Sequence, residues 1–147
     1  MYTAEDFDKL KQKVLKYIFY KKRTEQEVRQ KFQNEDYNMM EDMIDFLKEE
    51  KYINDNDYII RSVNEFMALK NLSLKEMKYK LYQKGIDKSL VEDYFCENYD
   101  DLYNYEIKSA KNIYIKKSKD MEFSDIKEFL YKKGYMLETI KEIEKDI

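Results

Sequence analysis

The chain has no histidine, no proline and no tryptophan, and it holds one cysteine and two glycines in 147 residues. Without histidine, and with Cys96 as the single thiol, it lacks the side chains of a zinc site or of a histidine-dependent catalytic triad. One cysteine also excludes an internal disulfide and suits a reducing compartment. Gly85 and Gly134 are 49 residues apart, so no glycine-rich phosphate loop exists. We therefore expect no metal, no cofactor and no catalytic residue in this protein.

Long apolar runs and an excess of basic charge are also missing. No stretch approaches the roughly 18 apolar residues of a membrane span, and the first residues, MYTAEDFDKLKQK, lack the features of a signal peptide. The formal net charge is −3, whereas an autonomous nucleic-acid-binding domain is usually basic. These features predict a cytoplasmic protein without a membrane partner.

What the chain does contain is helical periodicity. Charged residues make up 40% of it, and apolar residues recur at spacings of three and four, without the sustained alternation of a strand. Leu10, Val14 and Ile18 follow this pattern near the N-terminus, and Ile59 and Val63 repeat it 49 residues after Leu10 and Val14. The sequence predicts an all-α fold.

The segment from Ser73 to Phe95 recurs on either side at an offset of 49 residues. The sets that this offset aligns include Thr24, Ser73 and Glu122; Val28, Met77 and Ile126; and Phe32, Leu81 and Leu130. One offset used twice indicates an internal triplication. We predict three tandem three-helix repeats, about residues 6–54, 55–99 and 100–147, within a single domain 1–147 that forms an elongated, curved array of about nine helices.

Local signals mark the second helix of each repeat. Each begins with a polar residue three positions before an acidic one, as in a capping box: Thr24 and Glu27, Ser73 and Glu76, and, as a weaker acidic version, Glu122 and Asp125. Gly85 and Gly134 stand where two of these helices end, a place that favours a left-handed residue, and Asp36 stands there in the first repeat. The residues predicted to open the buried stripe of each third helix are Tyr37, Ile86 and Tyr135.

Two features that resemble chemical sites have simpler interpretations. The run from Asn54 to Asp57 resembles the start of a calcium loop, but the glycine of such a loop would fall at Ile60. We interpret Asp55 or Asp57 as the cap of the helix that opens the second repeat. Cys96 follows two aromatic residues on an apolar stripe, and the sequence offers no general base that would activate its thiol. We therefore predict a buried structural thiol rather than a nucleophile.

One polar feature also repeats beside the core. Arg29, Lys78 and Lys127 each follow the first core residue of a middle helix, and Tyr82 and Tyr131 come four residues after the two lysines. Long cations often cover the edge of an amphipathic stripe, which is one interpretation. The other is a row of equivalent contacts with a partner that itself repeats. The candidate contact residues are Arg29, Lys78, Tyr82, Lys84, Lys127, Tyr131 and Lys132.

The repeats and two of their motifs resemble the RecX family, regulators of the RecA recombinase. The segment MKYKLYQKGI is similar to the family pattern I-x-x-x-L-x-x-K-G-[IVF], and YINDNDY is similar to its apolar-apolar-Asp-Asp-x-x-Phe turn. Lys51 stands before that turn, where the family usually has glycine.

This resemblance implies a non-enzymatic, monomeric protein that acts in RecA-dependent DNA repair, homologous recombination and the SOS response. It implies binding in the groove of the RecA filament, contact with DNA mainly through that filament, and inhibition of ATP hydrolysis, strand exchange and filament growth. The alternative is a helix-turn-helix-like nucleic-acid-binding module, since three-helix units with a short turn also describe that class.

Overall fold

The protein, in a computed structural model that describes residues 1–147, folds into nine α-helices with no strand. The helices are α1 (Ala4–Tyr20), α2 (Glu25–Lys31), α3 (Tyr37–Glu49), α4 (Asp55–Leu69), α5 (Leu74–Gln83), α6 (Lys88–Glu97), α7 (Tyr99–Lys117), α8 (Phe123–Lys133) and α9 (Leu137–Lys145). The all-α prediction and the grouping into three-helix repeats are confirmed. None of the nine combines the length and the apolar character needed to cross a membrane.

The two predicted capping boxes form. At α2 the Thr24 hydroxyl accepts from the Glu27 N–H at 3.1 Å, and the Glu27 carboxylate accepts from the Thr24 N–H at 3.0 Å. Ser73 and Glu76 make the same two bonds at the start of α5, at 3.1 and 2.9 Å. Such a cap stabilises a helix by about 1 kcal/mol. The third prediction is wrong, because the Glu122 side chain makes no capping bond at α8.

Two predictions for the first repeat and its boundary are also wrong. Asp36 is not a left-handed residue after α2: its φ is −54°, and its carboxylate caps α3 by accepting from the Met39 N–H at 2.9 Å. The helix that opens the second repeat is capped by neither aspartate, since the Asn54 side chain accepts from the Asp57 N–H at 3.0 Å. The Asp55 carboxylate points elsewhere and accepts from the Glu25 N–H, at the start of α2, at 3.1 Å.

The chain forms two compact units. One comprises Met1–Ile59 together with Lys84–Ile86, and the other comprises Ile60–Gln83 and Asp87–Ile147. The first has its own apolar core, made by one stripe from each of α1, α2 and α3 and closed by the loop residue Ile53. The buried residues of this core are Leu10, Val14, Ile18, Val28, Met39, Met40, Met43, Ile44, Leu47 and Ile53.

The second unit buries its apolar residues around α7, which packs against α5, α6, α8 and α9. A cluster between α7, α8 and α9 consists of Ala110, Ile126, Leu130, Tyr135, Ile140 and Ile143. Leu81 and Leu130, aligned by the repeat offset, are 1% and 0% exposed. Full burial of such a side chain stabilises the fold by about 1.5–3 kcal/mol.

Two residues expected in the core lie outside it. Tyr37 is 74% exposed, because α3 begins at that residue and turns Met39 and Met40 inward instead. Cys96 is exposed, and its neighbour Phe95 occupies the buried position of α6. Ile86 and Tyr135, the counterparts of Tyr37 in the other repeats, are buried as predicted.

Two equivalent hydrogen bonds, here called the joint, link the N-cap hydroxyl of a middle helix to the backbone carbonyl that precedes Gly85 or Gly134. Inside the first compact unit, the Thr24 hydroxyl donates to the Lys84 carbonyl at 2.7 Å. Inside the second, the Ser73 hydroxyl donates to the Lys133 carbonyl at 3.0 Å. Thr24 and Ser73 are both fully buried. The same hydroxyls that cap α2 and α5 thus bind a carbonyl 60 residues further along the chain.

The glycine that follows each of these carbonyls lies in the left-handed region, as predicted. Gly85 has φ +80° and Gly134 has φ +104°. A Cβ on Gly85 would lie 2.3 Å from Gln26 Cγ, and one on Gly134 would lie 3.0 Å from Ser73 Oγ. Glycine is required at both places by backbone conformation and, most strongly at Gly85, by the close approach of the facing helix.

Candidate functional site

The three repeated cations do not project freely into solvent. Each one, on the second helix of its repeat, forms an ion pair with a glutamate of the third helix: Arg29 with Glu41, Lys78 with Glu92, and Lys127 with Glu144. The helix pairs joined in this way are α2 with α3, α5 with α6, and α8 with α9. The structure therefore places Arg29, Lys78 and Lys127 at an equivalent position in each repeat, and each of the three cations is paired with a carboxylate.

In the first repeat the cation is held between two carboxylates. The Arg29 guanidinium hydrogen-bonds both oxygens of Glu41, and its Nε donates to Glu25 Oε2 at 2.9 Å. The bonds to Glu41, together with those to Glu25, raise the pKa of Arg29 above its usual range. The hydrogen bond from Arg29 lowers the pKa of Glu41 in turn. Lys48 Nζ lies 2.6 Å from Glu25 Oε1 and extends this network.

In the second repeat one glutamate receives both predicted residues. Lys78 Nζ donates to Glu92 Oε2 at 3.0 Å, and the Tyr82 hydroxyl donates to Glu92 Oε1 at 2.5 Å. Burial, and then the bond to Glu92, raises the pKa of Tyr82 to about 12. Lys78 Nζ also lies 5.2 Å from the centre of the Phe95 ring, within the range of a cation–π contact. The cation and the aromatic residue predicted to share one flank are thus brought together by a common acceptor.

The third repeat keeps the ion pair but not the tyrosine bond. Lys127 Nζ donates to Glu144 Oε1 at 2.8 Å. Tyr131, the counterpart of Tyr82, is 62% exposed, and Lys132 pairs with Glu128 one turn back on α8 at 2.9 Å. Tyr131 is therefore the most accessible aromatic member of the predicted set.

Lys84 belongs to a different feature, the joint. Its Nζ lies 3.9 Å from Glu27 Oε2, and the corresponding Lys133 Nζ lies 3.0 Å from Glu76 Oε2. Each capping-box glutamate therefore binds the N-cap N–H with one oxygen and the lysine of the next repeat with the other. The contacts of Lys84 with Glu27 and Thr24 lie within the first compact unit.

The glutamates of the three ion pairs were missed by the sequence reasoning. Glu41 and Glu92 are each the fifth residue of their helix, whereas Glu144 comes almost one turn later in α9. The strict repeat offset therefore does not align them. A search for carboxylates at the same helical position, rather than the same offset, would have found the first two.

Glu106 on α7 was missed as well, although it is fully buried. Its Oε1 accepts from the Leu74 N–H at the start of α5 at 3.0 Å. Its Oε2 accepts from the Thr139 hydroxyl and from the Met136 N–H, the latter at 3.4 Å. The carboxylate thereby satisfies the free N–H groups at two helix starts, which is favourable because helix N-termini carry partial positive charge.

The side chains described above connect helices through ion pairs and hydrogen bonds. No cluster of three or more cysteine, aspartate or glutamate side chains has the geometry of a metal site. The Glu106 carboxylate accepts hydrogen bonds from three protein donors. The helix side that carries Arg29, Lys78 or Lys127 is here called the flank of its repeat. It presents a cation in each repeat, and a tyrosine as well in the second and third repeats.

Comparison with known proteins shows relatives among regulatory RecX proteins. No protein-family model matches the chain. Regulatory protein RecX of Staphylococcus carnosus is 34% identical over 133 residues, which cover 87% of this chain and 50% of that protein. Regulatory protein RecX of Finegoldia magna is 32% identical over 139 residues, which cover 88% of this chain and 67% of that protein. The chain thus spans about half to two thirds of the length of these relatives.

Solved structures agree with the sequence relatives. The crystal structure of RecX from Lactobacillus salivarius matches with a TM-score of 0.83 and 26% identity, over 98% of this chain and 97% of that one. A second crystal structure of a regulatory protein RecX matches with a TM-score of 0.82 at 19% identity, which supports the fold alone. From the identity to the Finegoldia magna protein over two thirds of its length, and from the fold shared with solved RecX structures, the chain belongs to the RecX family of regulatory proteins.

Proposed function

We propose that the protein is a non-enzymatic regulator of the RecA recombinase. In this proposal it binds RecA or the RecA–DNA filament and mainly inhibits ATP hydrolysis, strand exchange and filament growth, within DNA repair in the cytoplasm. The observation that carries the proposal is the fold shared with RecX of Lactobacillus salivarius over 97% of that chain, together with sequence identities of 34% and 32% to regulatory RecX proteins.

The roles of the carboxylates support regulation by contact rather than by catalysis. General acid–base catalysis needs a carboxyl group that is free to exchange a proton with a substrate. Glu106 is instead bonded to three protein donors, and Glu25 is bonded to Arg29 and Lys48. These groups hold helix ends and helix pairs in place.

In this proposal the partner contacts equivalent helix sides in the three repeats, through Arg29, Lys78, Tyr82, Lys127, Tyr131 and Lys132, and it also contacts Lys84 at the joint. Equivalent positions in successive repeats suit a partner that is itself repetitive, because weak contacts that form together add through effective concentration. The ion pairs restrain the three cations, so each loses less side-chain entropy on binding than a free lysine would. The side chains of the three cations are 29–41% exposed, so part of each is accessible to a partner.

The first experiment tests the class of function. ATP hydrolysis by RecA is measured on single-stranded DNA with and without this protein, and binding to the same DNA is measured without RecA. We expect the hydrolysis rate to fall as the protein is added, with no binding to bare DNA at physiological salt. Strong binding to bare DNA with unchanged hydrolysis would favour the helix-turn-helix-like alternative.

The second experiment tests the flank with two matched variants that break the same three ion pairs. One replaces Arg29, Lys78 and Lys127 by glutamate. The other replaces Glu41, Glu92 and Glu144 by glutamine and keeps the cations. If the cations contact the partner, the first variant loses inhibition and the second retains it, while both stay helical.

The comparison also separates binding from stability. Exposed or half-exposed ion pairs typically contribute about 0.2–1 kcal/mol each, so the two variants should melt at similar temperatures. Inhibition by the wild type should weaken between about 50 and 200 mM salt, since screening acts on accessible charges. If the charge-reversed variant inhibits RecA as strongly as the wild type does, the three cations serve only to join helices.

A further inference from the structure

A second surface feature lies away from the three ion pairs, between the α4–α5 loop, α7 and α8. It is an open cavity of about 280 Å³ in the second compact unit. Its apolar lining residues are Leu72, Ile113 and Phe129, here called the floor, and its lining lysines are Lys116, Lys117 and Lys133, here called the rim. We refer to it as the lysine-rimmed pocket.

The loop residue Leu72 of this pocket is held in place by partly buried hydrogen bonds to α7. The Tyr105 hydroxyl donates to the Leu72 carbonyl at 2.8 Å and accepts from the Leu72 N–H at 3.3 Å, so it fixes both backbone polar groups of that residue. The Ser109 hydroxyl donates to the Lys70 carbonyl at 3.2 Å just before it. A loop tied to α7 in this way keeps its shape without a ligand, which reduces the entropy lost on binding.

The rim is basic, and two of its three lysines form no salt bridge. Lys116 and Lys117 take part in none of the ion pairs, whereas Lys133 is paired with Glu76 at 3.0 Å. Two cations therefore stand beside an apolar floor in a protein whose net charge is −3. This local reversal of sign favours a negatively charged partner.

The pocket's shape and lining favour a peptide over a nucleobase. Lys117 Nζ lies 4.2 Å from the centre of the Phe129 ring, so a cation already occupies the face on which a base would stack. The other floor residues are the aliphatic Leu72 and Ile113. A cavity of about 280 Å³ is at the small end for a ligand site and suits one or two side chains.

We propose that the lysine-rimmed pocket binds an acidic protein segment by taking one of its apolar side chains against Leu72, Ile113 and Phe129 while Lys116 and Lys117 bind flanking carboxylates. This site is separate from the three ion pairs and does not depend on the identity of the partner proposed above. It would give the protein a docking point for an acidic tail or linker.

The test uses the full chain and four probes: a short peptide of aspartate and glutamate with one central phenylalanine, its alanine counterpart, a lysine-flanked counterpart, and oligothymidylate. Affinity is measured by fluorescence anisotropy, and the site is mapped by amide chemical shifts. We expect the acidic phenylalanine peptide to bind and to shift Leu72, Ile113 and Phe129. The alanine and lysine peptides should bind at least about tenfold more weakly, a difference of about 1.4 kcal/mol.

Two matched charge reversals complete the test. The double variant Lys116→Glu and Lys117→Glu should weaken binding of the acidic phenylalanine peptide at least tenfold, since it reverses the charges of the exposed Lys116 and the partly exposed Lys117. Lys16→Glu with Lys141→Glu makes the same change in net charge on exposed lysines elsewhere and should leave the affinity unchanged. Equal losses in both variants, equal binding of the alanine peptide, displacement by oligothymidylate, or a dissociation constant above about 1 mM would each overturn the proposal.

Discussion

Adding one methyl group at Gly85 should test the close approach of the Gln26 side chain to this residue. Gly85 and Gly134 hold the same place in successive repeats, and both have a left-handed backbone. Alanine in that conformation costs about 1–2 kcal/mol, offset in part by about 0.4–1 kcal/mol from the stiffer unfolded chain. This contribution should be similar at the two glycines.

The two sites differ in the space available for the new methyl group. At Gly85 the Cβ would lie 2.3 Å from Gln26 Cγ and 2.4 Å from Gln26 Cβ. At Gly134 the nearest atoms are Ser73 Oγ at 3.0 Å and Lys75 Cβ at 3.1 Å. Overpacking of this kind typically adds about 1–3 kcal/mol. We expect Gly85→Ala to cost about 2–4 kcal/mol and Gly134→Ala about 1–2 kcal/mol.

The assay is urea unfolding followed by far-ultraviolet circular dichroism, with Gln26→Gly as the second arm of a double-mutant cycle. Both atoms that crowd Gly85 belong to the Gln26 side chain, so its removal should recover about 1–2 kcal/mol of the Gly85→Ala cost. Gln26→Gly alone should cost about 1 kcal/mol, because glycine is a poor helix former. No coupling between the two sites, or a larger cost at Gly134, would show that α2 does not press against Gly85.

Other predictions concern the core, the buried carboxylate, one strained residue and one titration. Leu81→Ala should cost about 2–5 kcal/mol and Lys78→Ala about 1 kcal/mol or less, so equal shifts in thermal melting would contradict the assigned core. Glu106→Ala should cost about 3–5 kcal/mol by chemical denaturation, because it leaves buried donors at two helix starts without an acceptor. Lys51 has φ +61°, so Lys51→Gly should raise the unfolding free energy by about 0.5–1 kcal/mol, and a loss of stability would refute the left-handed conformation. Burial raises the pKa of Asp55, which favours the protonated form in the folded state. The stability of the wild type relative to Asp55→Asn should therefore fall as pH rises above about 3.9, and a relative gain over that range would contradict this sign.

The parts of the fold that could be predicted from the sequence depend on residues close together in the chain. Thr24 with Glu27 and Ser73 with Glu76 form capping boxes because donor and acceptor are three residues apart. Gly85 was recognisable because the end of a helix favours a left-handed residue that glycine adopts without strain. Such local rules also determine the number and the type of the helices.

The first repeat departs from the prediction because its loop between α2 and α3 is built differently. Asp36 caps α3, as Asp87 caps α6, and the spacing between these two aspartates is longer than the repeat offset by two positions. The strict offset therefore aligned Asp36 with Gly85 and gave Tyr37 a buried position that Met39 and Met40 fill. A shift of two positions rotates a helix by more than half a turn, which is enough to turn a core residue outward.

The candidate site was harder to predict because its geometry depends on partners in other helices. Arg29, Lys78 and Lys127 were found from their repetition, but repetition alone does not distinguish a contact row from a set of ion pairs. The decisive residues, such as Glu92, lie on the next helix and at helical positions that the repeat offset does not preserve. Whether a cation is paired therefore depends on how the second and third helices of its repeat pack, which the sequence of the second helix alone does not give.

The joint explains a choice of residue that helix capping alone leaves open. Asparagine and aspartate cap helices as well as serine and threonine do, so capping does not account for a hydroxyl at both α2 and α5. The Thr24 oxygen accepts from the Glu27 N–H and donates to the Lys84 carbonyl, and Ser73 makes the same pair of bonds with Lys133 as its acceptor. An ionised carboxylate has no proton to donate, and an amide carries donor and acceptor on different atoms. A hydroxyl is the group that can complete both bonds from one atom, so the residue that caps the middle helix can also donate to the carbonyl that precedes Gly85 or Gly134.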